Sequence, residues 1–204
     1  MDPETKIGGI VLCGGLSTRM GRPKAWLPFG GELMLPRVVR ILSEVVSPIV
    51  VIAARNQDVP ELPANVPVLR DEHDECGPLA GLAVGLAALA GRCDAAYSAS
   101  CDVPLLTAEF VRRVVELLGD DEVAIPHDGE FLHPLAAVYR TSLAPVARGL
   151  IDQGQRRLLR LIDYARVRVI DVSDLRDVDP ELHSLRNINS PEDYEWSLRA
   201  AGIS

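Results

Sequence analysis

The chain has 204 residues, 48% of them hydrophobic, which is enough to build one domain around its own core. Its formal net charge of −8 at pH 7 disfavours nucleic acid and anionic membrane surfaces as partners. The N-terminus has no signal-peptide pattern, and no apolar run reaches the roughly 20 residues that span a bilayer, so we expect a cytoplasmic protein.

Apolar runs and helical patterns alternate along the first half of the chain. Short apolar runs, one of them rich in β-branched residues, predict strands, and apolar residues at helical spacing predict helices. Pro78 suits the first turn of the second helix, where proline is tolerated. In chain order the predicted elements are a strand at 9–13, a helix at 32–46, strands at 48–54 and 66–71, and a helix at 77–89.

The second half continues with a less regular alternation. Thr107 is a candidate cap for one helix, and the Ser190, Pro191 and Asp193 pattern predicts the start of a closing helix. The predicted elements are strands at 94–100, 123–127, 133–140 and 166–172, and helices at 108–119, 141–151, 155–163 and from 191 onward.

This alternation predicts a Rossmann-like, three-layer α/β/α fold with a mainly parallel, mixed sheet, organised as a single domain over residues 1–204. In such sheets, ligands bind outside the carboxyl ends of the strands. The loops that start at Gly14, Asp71 and Asp102 each follow a predicted strand. We therefore expect these three loops to share one crevice.

The first of these loops combines glycines with cations. Gly14 and Gly15 follow the first strand, and Arg19 and Lys24 lie further along the loop. The spacing matches neither the dinucleotide-binding fingerprint nor the P-loop. Glycines nevertheless let backbone N–H groups approach a phosphate, while arginine and lysine supply positive charge. The alternative is a tight glycine turn with solvated cations.

Two acids and two glycines mark the other strand ends. Asp102 precedes a Val-Pro turn, where it is a candidate Mg²⁺ ligand, since magnesium bound to phosphates often uses only one or two protein carboxylates. Asp71 is a second acid of this kind. For both, the alternative is a turn-capping role. Gly77 and Gly81 permit either close approach of a ligand or close packing of a helix on the sheet.

Other catalytic arrangements find little support. The four histidines have no zinc-type spacing, and neither Ser17 nor Cys13 has an evident histidine partner. The four cysteines form no CxxC pattern, so we expect free thiols. A reaction without a protein nucleophile, such as nucleotidyl transfer, fits best, because its catalysis depends mainly on positioning and charge stabilisation.

Six segments together carry a family resemblance. They are LCGGLSTRMGRPK (12–24), RDEHDECGPLAGLAVGL (70–86), CDVPLL (101–106), HDGEFLHPLAAVYR (127–140), QGQRRLLRLI (153–162) and LRNINSPEDY (185–194). In this order they resemble the motifs of the MobA-like nucleotidyltransferases, over nearly the whole chain, and most closely the guanylyl members of that family.

The resemblance implies a nucleotide-diphospho-sugar transferase-like fold and a Mg²⁺-dependent reaction. In that reaction, GMP is transferred from GTP to the molybdenum–molybdopterin cofactor, with release of pyrophosphate and formation of the guanine dinucleotide cofactor. GTP and the molybdopterin cofactor are then the substrates. The family role also implies transient contact with proteins that insert or deliver the cofactor.

The resemblance also implies roles for individual residues. Arg19, Lys24 and Asp102 match catalytic positions, with Asp102 as the metal ligand. The matched nucleotide-binding set is Leu12, Cys13, Gly14, Gly15, Lys24, Arg55, Asn56, Asp71, Gly77, Pro78 and Asp102. The residues matched to the pterin side are His133, Pro134, Arg156, Arg157, Asn187 and Asn189.

Gly15 favours guanine, because the cytidylyl relatives tend to carry LAAG in place of LAGG and a missing side chain leaves room for a purine. Two positions depart from the family pattern. Cys13 replaces an alanine, and Arg55 stands where the family has an asparagine, with Asn56 one residue later. Three alternatives remain open: a cytidylyl or sugar-phosphate nucleotidyltransferase of the same fold, a non-catalytic GTP-binding module, or an α/β domain with a structural glycine turn.

Overall fold

A mixed sheet forms the centre of the computed structural model, which describes residues 5–14, 22–71 and 77–203. Within these residues, seven strands join in one sheet and two more form a hairpin. The strands are β1 Ile7–Leu12, β2 Pro28–Phe29, β3 Glu32–Leu33, β4 Ile49–Ala54, β5 Val68–Asp71, β6 Ala95–Ser100, β7 Val123–His127, β8 Ala136–Arg140 and β9 Val167–Asp171. The α-helices are α1 Met34–Ser43, α2 Gly77–Leu89, α3 Ala108–Glu116, α4 Ala144–Asp152 and α5 Pro191–Ala200.

The large sheet has the order β5-β4-β1-β6-β8-β7-β9. Its first four strands are parallel, whereas β8 runs antiparallel to both of its neighbours and β9 is parallel to β7. The predicted mainly parallel, mixed sheet is therefore confirmed. The carboxyl ends of β5, β4, β1 and β6 consequently meet at one edge, where ligands bind in folds of this kind.

Helices cover both faces of the sheet, as the three-layer prediction requires. On one face, the buried side of α1, including Leu35 and Leu42, packs with Phe110 and Val114 of α3. On the other face, α2 packs against β1, β4 and α4. In α1 and α3 the repeated apolar residues define the face that is buried, whereas α2 is apolar on all sides and packs between the sheet and α4.

A smaller apolar cluster joins the segment around the β2–β3 hairpin to the C-terminal part of the chain. Leu27, Phe29, Met34 and Ile188 are all buried in it, and partly buried residues of α5 pack against them. The Tyr194 hydroxyl also donates a hydrogen bond to the carbonyl of Pro28. This packing brings the segment before α5 next to the segment that carries Lys24.

Three sequence predictions need correction. The helix predicted over 32–46 starts at Met34, because Gly30 and Gly31, at φ of +62° and +86°, form a two-residue hairpin turn between β2 and β3. The helix predicted over 155–163 is a 3-10 helix at Leu158–Tyr164. Its buried Leu158 and Leu161 suit about three residues per turn.

The strand predicted over 133–140 begins only at Ala136, because the preceding residues fold into a turn in which the Ala136 N–H bonds to the carbonyl of His133. Of the cysteines, Cys13, Cys93 and Cys101 are free thiols, as predicted, and Cys76 lies outside the described residues. The helices of the described segments are all too short or too polar to cross a membrane.

Candidate active site

A cavity of about 250 Å³ lies at the carboxyl ends of β1, β4 and β5, beside the start of α2. We call it the strand-end cavity. Its lining residues are small or apolar, apart from Ser100 and Asp71. Its lining residues are Leu12, Gly14, Ile52, Ala53, Ala54, Asp71, Gly77, Pro78, Gly81, Ser100 and Leu135. Five residues of the predicted nucleotide-binding set, Leu12, Gly14, Asp71, Gly77 and Pro78, therefore come together here.

The glycines of this cavity have different structural roles. A Cβ added at Gly14 would meet no atom of the described residues within 4 Å, so the space in front of Gly14 is open. An added Cβ at Gly81 would lie 3.1 Å from Leu12 Cδ2. Gly77 has a φ of +67°, and an added Cβ there would lie 3.1 Å from the carbonyl oxygen of Arg156. Gly77 and Gly81 thus serve the conformation and packing of α2, while Gly14 leaves room for a ligand.

Cys13, although in the predicted nucleotide-binding set, is not among the residues that line the strand-end cavity. Its thiol is 1% exposed and belongs to the core on the α1–α3 face of the sheet, while its N–H donates to the carbonyl of Ile52 at 2.8 Å. Cys101 lies at the end of the neighbouring strand. A hydrogen bond with Cys13 and burial both raise the pKa of the Cys101 thiol. Replacing the family's alanine by cysteine therefore leaves the cavity lining unchanged.

The loop after β4 differs from its expected role. Arg55 and Asn56 are exposed, and among the described residues that line the strand-end cavity neither is present. The next residue, Gln57, instead folds back. Its Oε1 accepts from the N–H of Ala54 at 3.3 Å, and its Nε2 lies 3.5 Å from Cys13 Sγ. Sequence reasoning missed Gln57, although an amide one residue beyond Asn56 was a visible signal.

Next to the cavity lies a charged cluster, which we call the Asp102 cluster: Lys24, Asp102, Asn187 and Asn189. Lys24 Nζ lies 2.7 Å from Asp102 Oδ2 and 3.0 Å from Asn189 Oδ1. Asn187 Nδ2 donates to Asp102 Oδ1 at 2.7 Å. The side chains of Lys24 and Asp102 are 17% and 9% exposed, so this ion pair is largely withdrawn from solvent.

Backbone bonds hold the cluster in place. Asp102 directly follows β6, and its carbonyl accepts from the N–H of buried Ile188 at 2.9 Å. Asp193, in the first turn of α5, accepts from the N–H of Asn189 at 3.0 Å, a bond that lowers the pKa of Asp193. Ser190 caps the same helix in a capping box. The start of α5 therefore holds Asn189, while the bond between Ile188 and Asp102 holds the segment that carries Asn187.

A second cavity, of about 160 Å³, lies on the other side of Asn187. We call it the acceptor cavity. Its lining residues are Val103, Leu132, His133, Pro134, Leu135, Ala136, Ser184, Leu185 and Asn187. His133 Nε2 lies 2.9 Å from Asp128 Oδ2, and backbone N–H groups of Phe131 and Glu130, together with His133, lower the pKa of Asp128 to about 2. Leu135 lines both cavities, so they adjoin.

The structure divides the residues predicted for the pterin side. His133, Pro134 and Asn187 line the acceptor cavity, whereas Asn189 contacts Lys24. Arg156 and Arg157 are exposed, and the backbone of Arg156 lies against Gly77 at the strand-end cavity. His133, Pro134 and Asn187 thus share one cavity, whereas Arg156 lies beside the start of α2, because the chain turns at Gly154. The shared pterin-side role of the six residues stays a prediction.

The single crevice predicted for Gly14, Asp71 and Asp102 also needs refinement. Gly14 and Asp71 line the strand-end cavity, but Asp102 does not. At the end of β6, the residue that lines this cavity is Ser100. Asp102 lies two residues after Ser100 in the chain, and its side chain is buried against Lys24 and Asn187. Gly15 and Arg19 lie outside the described residues.

The donor set fits a divalent cation that is shared with a phosphate ligand. In the described parts of the chain, no group of three or more His, Cys, Asp or Glu side chains could hold a metal ion. Asp102 instead offers one carboxylate, and its Oδ2 already attracts a cationic group, the Lys24 ammonium. Magnesium bound to phosphates needs only one or two protein carboxylates, so Asp102 and a phosphate would be sufficient.

Comparison with known proteins identifies the family. The family model described as "MobA-like NTP transferase domain" matches residues 9–169. A protein of Mycobacterium bovis named "Probable molybdenum cofactor guanylyltransferase" is 40% identical over 196 residues, which cover 92% of each chain. A protein of the same name from Mycobacterium avium is 39% identical over 206 residues, covering 98% of this chain and 99% of its own.

Solved structures share the fold. Molybdopterin-guanine dinucleotide biosynthesis protein A from Archaeoglobus fulgidus superimposes with a TM-score of 0.78 at 24% identity, covering 96% of this chain and 98% of its own. The 2-C-methyl-D-erythritol 4-phosphate cytidylyltransferase from Thermus thermophilus gives 0.70 at 14% identity, with 96% and 98% coverage. These likenesses establish the nucleotide-diphospho-sugar transferase-like architecture. With the family match and the relatives at 40% identity, the chain belongs to the MobA-like NTP transferase family.

Proposed function

We propose that this protein transfers GMP from GTP to the molybdenum–molybdopterin cofactor and releases pyrophosphate, as a single nucleotidyltransferase domain. The observation that carries the proposal is that the Asp102 cluster borders the acceptor cavity through Asn187, and that Leu135 lines both this cavity and the strand-end cavity. The strand-end cavity lies at the predicted nucleotide loop, and the acceptor cavity contains the predicted pterin-side residues His133, Pro134 and Asn187.

Each part of the site has a role in this reaction. The open space at Gly14 lets a ligand approach the backbone at the end of β1. Lys24 is a compact positive charge suited to phosphate oxygens. The acceptor enters from the side of Asn187 and directs its own phosphate towards the α-phosphate of GTP. Because phosphoryl chemistry depends on positioning and charge neutralisation, no protein nucleophile is required.

Asp102 is the proposed ligand of a Mg²⁺ ion, shared with the nucleotide phosphates. When bound, that ion would supply positive charge to the phosphate oxygens during transfer. The contribution of the chain is to hold the carboxylate rigidly, with Asn187 bonded to one oxygen and the Asp102 carbonyl tied to Ile188.

The guanine and molybdopterin assignments take their support from the names of the Mycobacterium relatives and from the LCGG motif. A second candidate is a cytidylyl transferase. Two observations favour keeping it: a cytidylyltransferase shares the fold, and Arg55 and Asn56 lie outside the strand-end cavity. Cytoplasmic location and contact with cofactor-delivering proteins stay predictions.

Ligand-dependent melting distinguishes the two candidates. A ligand that binds the native state raises the melting temperature, and at equal concentration the tighter ligand raises it more. We expect GTP with Mg²⁺ to raise it and CTP at the same concentration to leave it nearly unchanged. Mass spectrometry of the reaction with molybdopterin cofactor should then detect the guanine dinucleotide. Stronger stabilisation by CTP, or a cytosine dinucleotide product, would refute the guanine assignment.

A further inference from the structure

The Asp102 carboxylate has both oxygens engaged by donors from the chain itself. Lys24 Nζ lies 2.7 Å from Oδ2, and Asn187 Nδ2 lies 2.7 Å from Oδ1. These are short, charge-assisted contacts in a largely buried setting, where an ion pair is costly to break unless another partner replaces it. Any cation that binds Asp102 must therefore compete with the Lys24 ammonium.

Geometry makes this competition severe. Magnesium binds carboxylate oxygen at about 2.0–2.1 Å, so an ion on Oδ2 could lie no farther than about 5 Å from Lys24 Nζ in its present place. A divalent ion and an ammonium at that separation repel each other strongly, because the side chains around them are only 9–17% exposed and solvent screens little. The ion pair and metal coordination at Oδ2 therefore oppose each other.

Lys24 also has a second partner in its present position. Its Nζ contacts Asn189 Oδ1 at 3.0 Å, so the ammonium can move off Asp102 while keeping a neutral acceptor. The phosphates of a nucleotide would attract it more strongly than the amide does. Asn187 would stay behind, because it bonds the other carboxylate oxygen and its chain is held through buried Ile188.

We propose that Lys24 occupies the metal position on Asp102 Oδ2 until nucleotide phosphates attract it away. Asn187 acts as a positioning residue: it bonds Oδ1, so that only Oδ2 is available to the incoming ion. Metal and nucleotide then bind together rather than independently. By reciprocity, the metal raises nucleotide affinity by the same factor as the nucleotide raises metal affinity. The nucleotide half of this inference rests on the proposed function; the competition between Lys24 and the metal does not.

The first test measures Mn²⁺ binding without nucleotide, by the loss of the free-ion signal in electron paramagnetic resonance. Wild type and Lys24→Arg, which keeps the charge, should bind Mn²⁺ weakly. Lys24→Met should bind it about tenfold more tightly or better, because the like charge is removed. Lys24→Gln, whose amide can still donate to Asp102, serves as the second neutral variant if Lys24→Met is unstable.

The decisive control is the double variant Lys24→Met with Asp102→Asn, which should lose the gained affinity. An unchanged Mn²⁺ affinity in the neutral Lys24 variants would overturn the proposal. It would also be overturned if the gain survived the loss of Asp102, because the ion would then bind elsewhere. Melting temperatures confirm that the variants compared are folded.

Asn187 is tested in the Lys24→Met chain. Asn187→Leu removes the donor to Oδ1 and should weaken Mn²⁺ binding about threefold to tenfold, the equivalent of one hydrogen bond. Asn187→Gln keeps an amide donor and should recover part of the affinity. Equal Mn²⁺ affinities for the Leu and Gln variants would refute the positioning role.

Titration with GTP separates this inference from the proposed function. Wild type should bind GTP more tightly with Mn²⁺ than without it. Failure to bind GTP under either condition would refute the proposed function and leave the Mn²⁺ result with Lys24→Met standing. Tight GTP binding together with an unchanged Mn²⁺ affinity in Lys24→Met would refute the competition instead.

Discussion

The strand-end cavity and the Asp102 cluster lie side by side but are built in different ways. The cavity is lined by residues at the carboxyl ends of β1, β4, β5 and β6, together with Leu135 and the start of α2. The cluster is formed by polar side chains whose bonded pairs are 78 to 165 residues apart in sequence. The binding surface is therefore supplied by the strand ends of the sheet and by α2, whereas the reactive groups depend on hydrogen bonds between distant parts of the chain.

The same contrast appears in the family match. The matched stretch, residues 9–169, contains every lining residue of the strand-end cavity. It ends before Asn187 and Asn189, which complete the Asp102 cluster. Substitutions in the cluster should therefore abolish transfer while nucleotide binding in the cavity is kept. Substitutions in the cavity should weaken nucleotide binding without disturbing the cluster.

The largest effect is expected for Asp102→Asn. The amide keeps the shape of the carboxyl group but loses the charge that would hold a metal. We therefore expect the rate of pyrophosphate release to fall by about 100-fold or more, as it does when a group that stabilises charge in the transition state is removed. Asp94→Asn is the matched control, because Asp94 precedes β6 at the opposite end of the same strand. Wild-type turnover of Asp102→Asn would contradict the account.

Next in size is Gly14→Ala. The added methyl group would enter open space in front of the strand-end cavity, so it should cost little stability but obstruct the nucleotide. We expect the Kd for GTP to rise by about tenfold, with the melting temperature nearly unchanged. Gly149→Ala in α4 is the control, because its added Cβ also meets no described atom and lies far from the cavity. Unaltered GTP affinity in Gly14→Ala would mean that the ligand does not approach here.

Gly85→Ala should show the opposite pattern. An added Cβ would lie 2.7–2.9 Å from three side-chain atoms of Ile10, so α2 could not pack as closely on β1. We expect a loss of about 1–3 kcal/mol in the free energy of unfolding, as for other overpacked cores. Urea denaturation measures it, with Gly149→Ala again as the control. An unchanged unfolding midpoint would show that the helix relaxes without cost.

The smallest effect is expected for Ser190→Ala, which removes the cap of α5. The Ser190 side chain accepts from the Asp193 N–H at 3.2 Å, and loss of such a cap costs about 1 kcal/mol. Because this turn holds Asn189, we expect a severalfold lower turnover with GTP affinity unchanged. Thr107→Ala, which removes the cap of α3, is the matched control and should lower stability alone. Equal losses of turnover in both variants would show that the cap of α5 has no specific role in positioning the Asp102 cluster.

Sequence patterns predicted best the features that are encoded locally. The helix over Gly77–Leu89 and the strand over Val123–His127 have the predicted bounds, and Thr107 caps α3 by accepting from the Phe110 N–H at 3.2 Å. Each of these depends on residues within one element or one turn. The Gly30-Gly31 hairpin was equally local, but its signal is only two residues long and was missed.

The partners within the site could not be predicted in the same way. The resemblance indicated that Asp102 and Asn187 matter, but not that they bond to each other across 85 residues. Nor could it place Gln57 against Cys13, since a one-residue shift in the loop after β4 decides which side chain turns inward. Such contacts follow from how α5 and the β2–β3 hairpin pack together, which no local periodicity records.

Pyrophosphate release from each of the four NTPs, with Mg²⁺ and molybdopterin cofactor, tests the central claim most directly. The account predicts rapid release from GTP, little from ATP, CTP and UTP, and a collapse of the GTP rate in Asp102→Asn but not in Asp94→Asn. Preferred use of another nucleotide, or release from GTP that does not require the acceptor or Asp102, would contradict it.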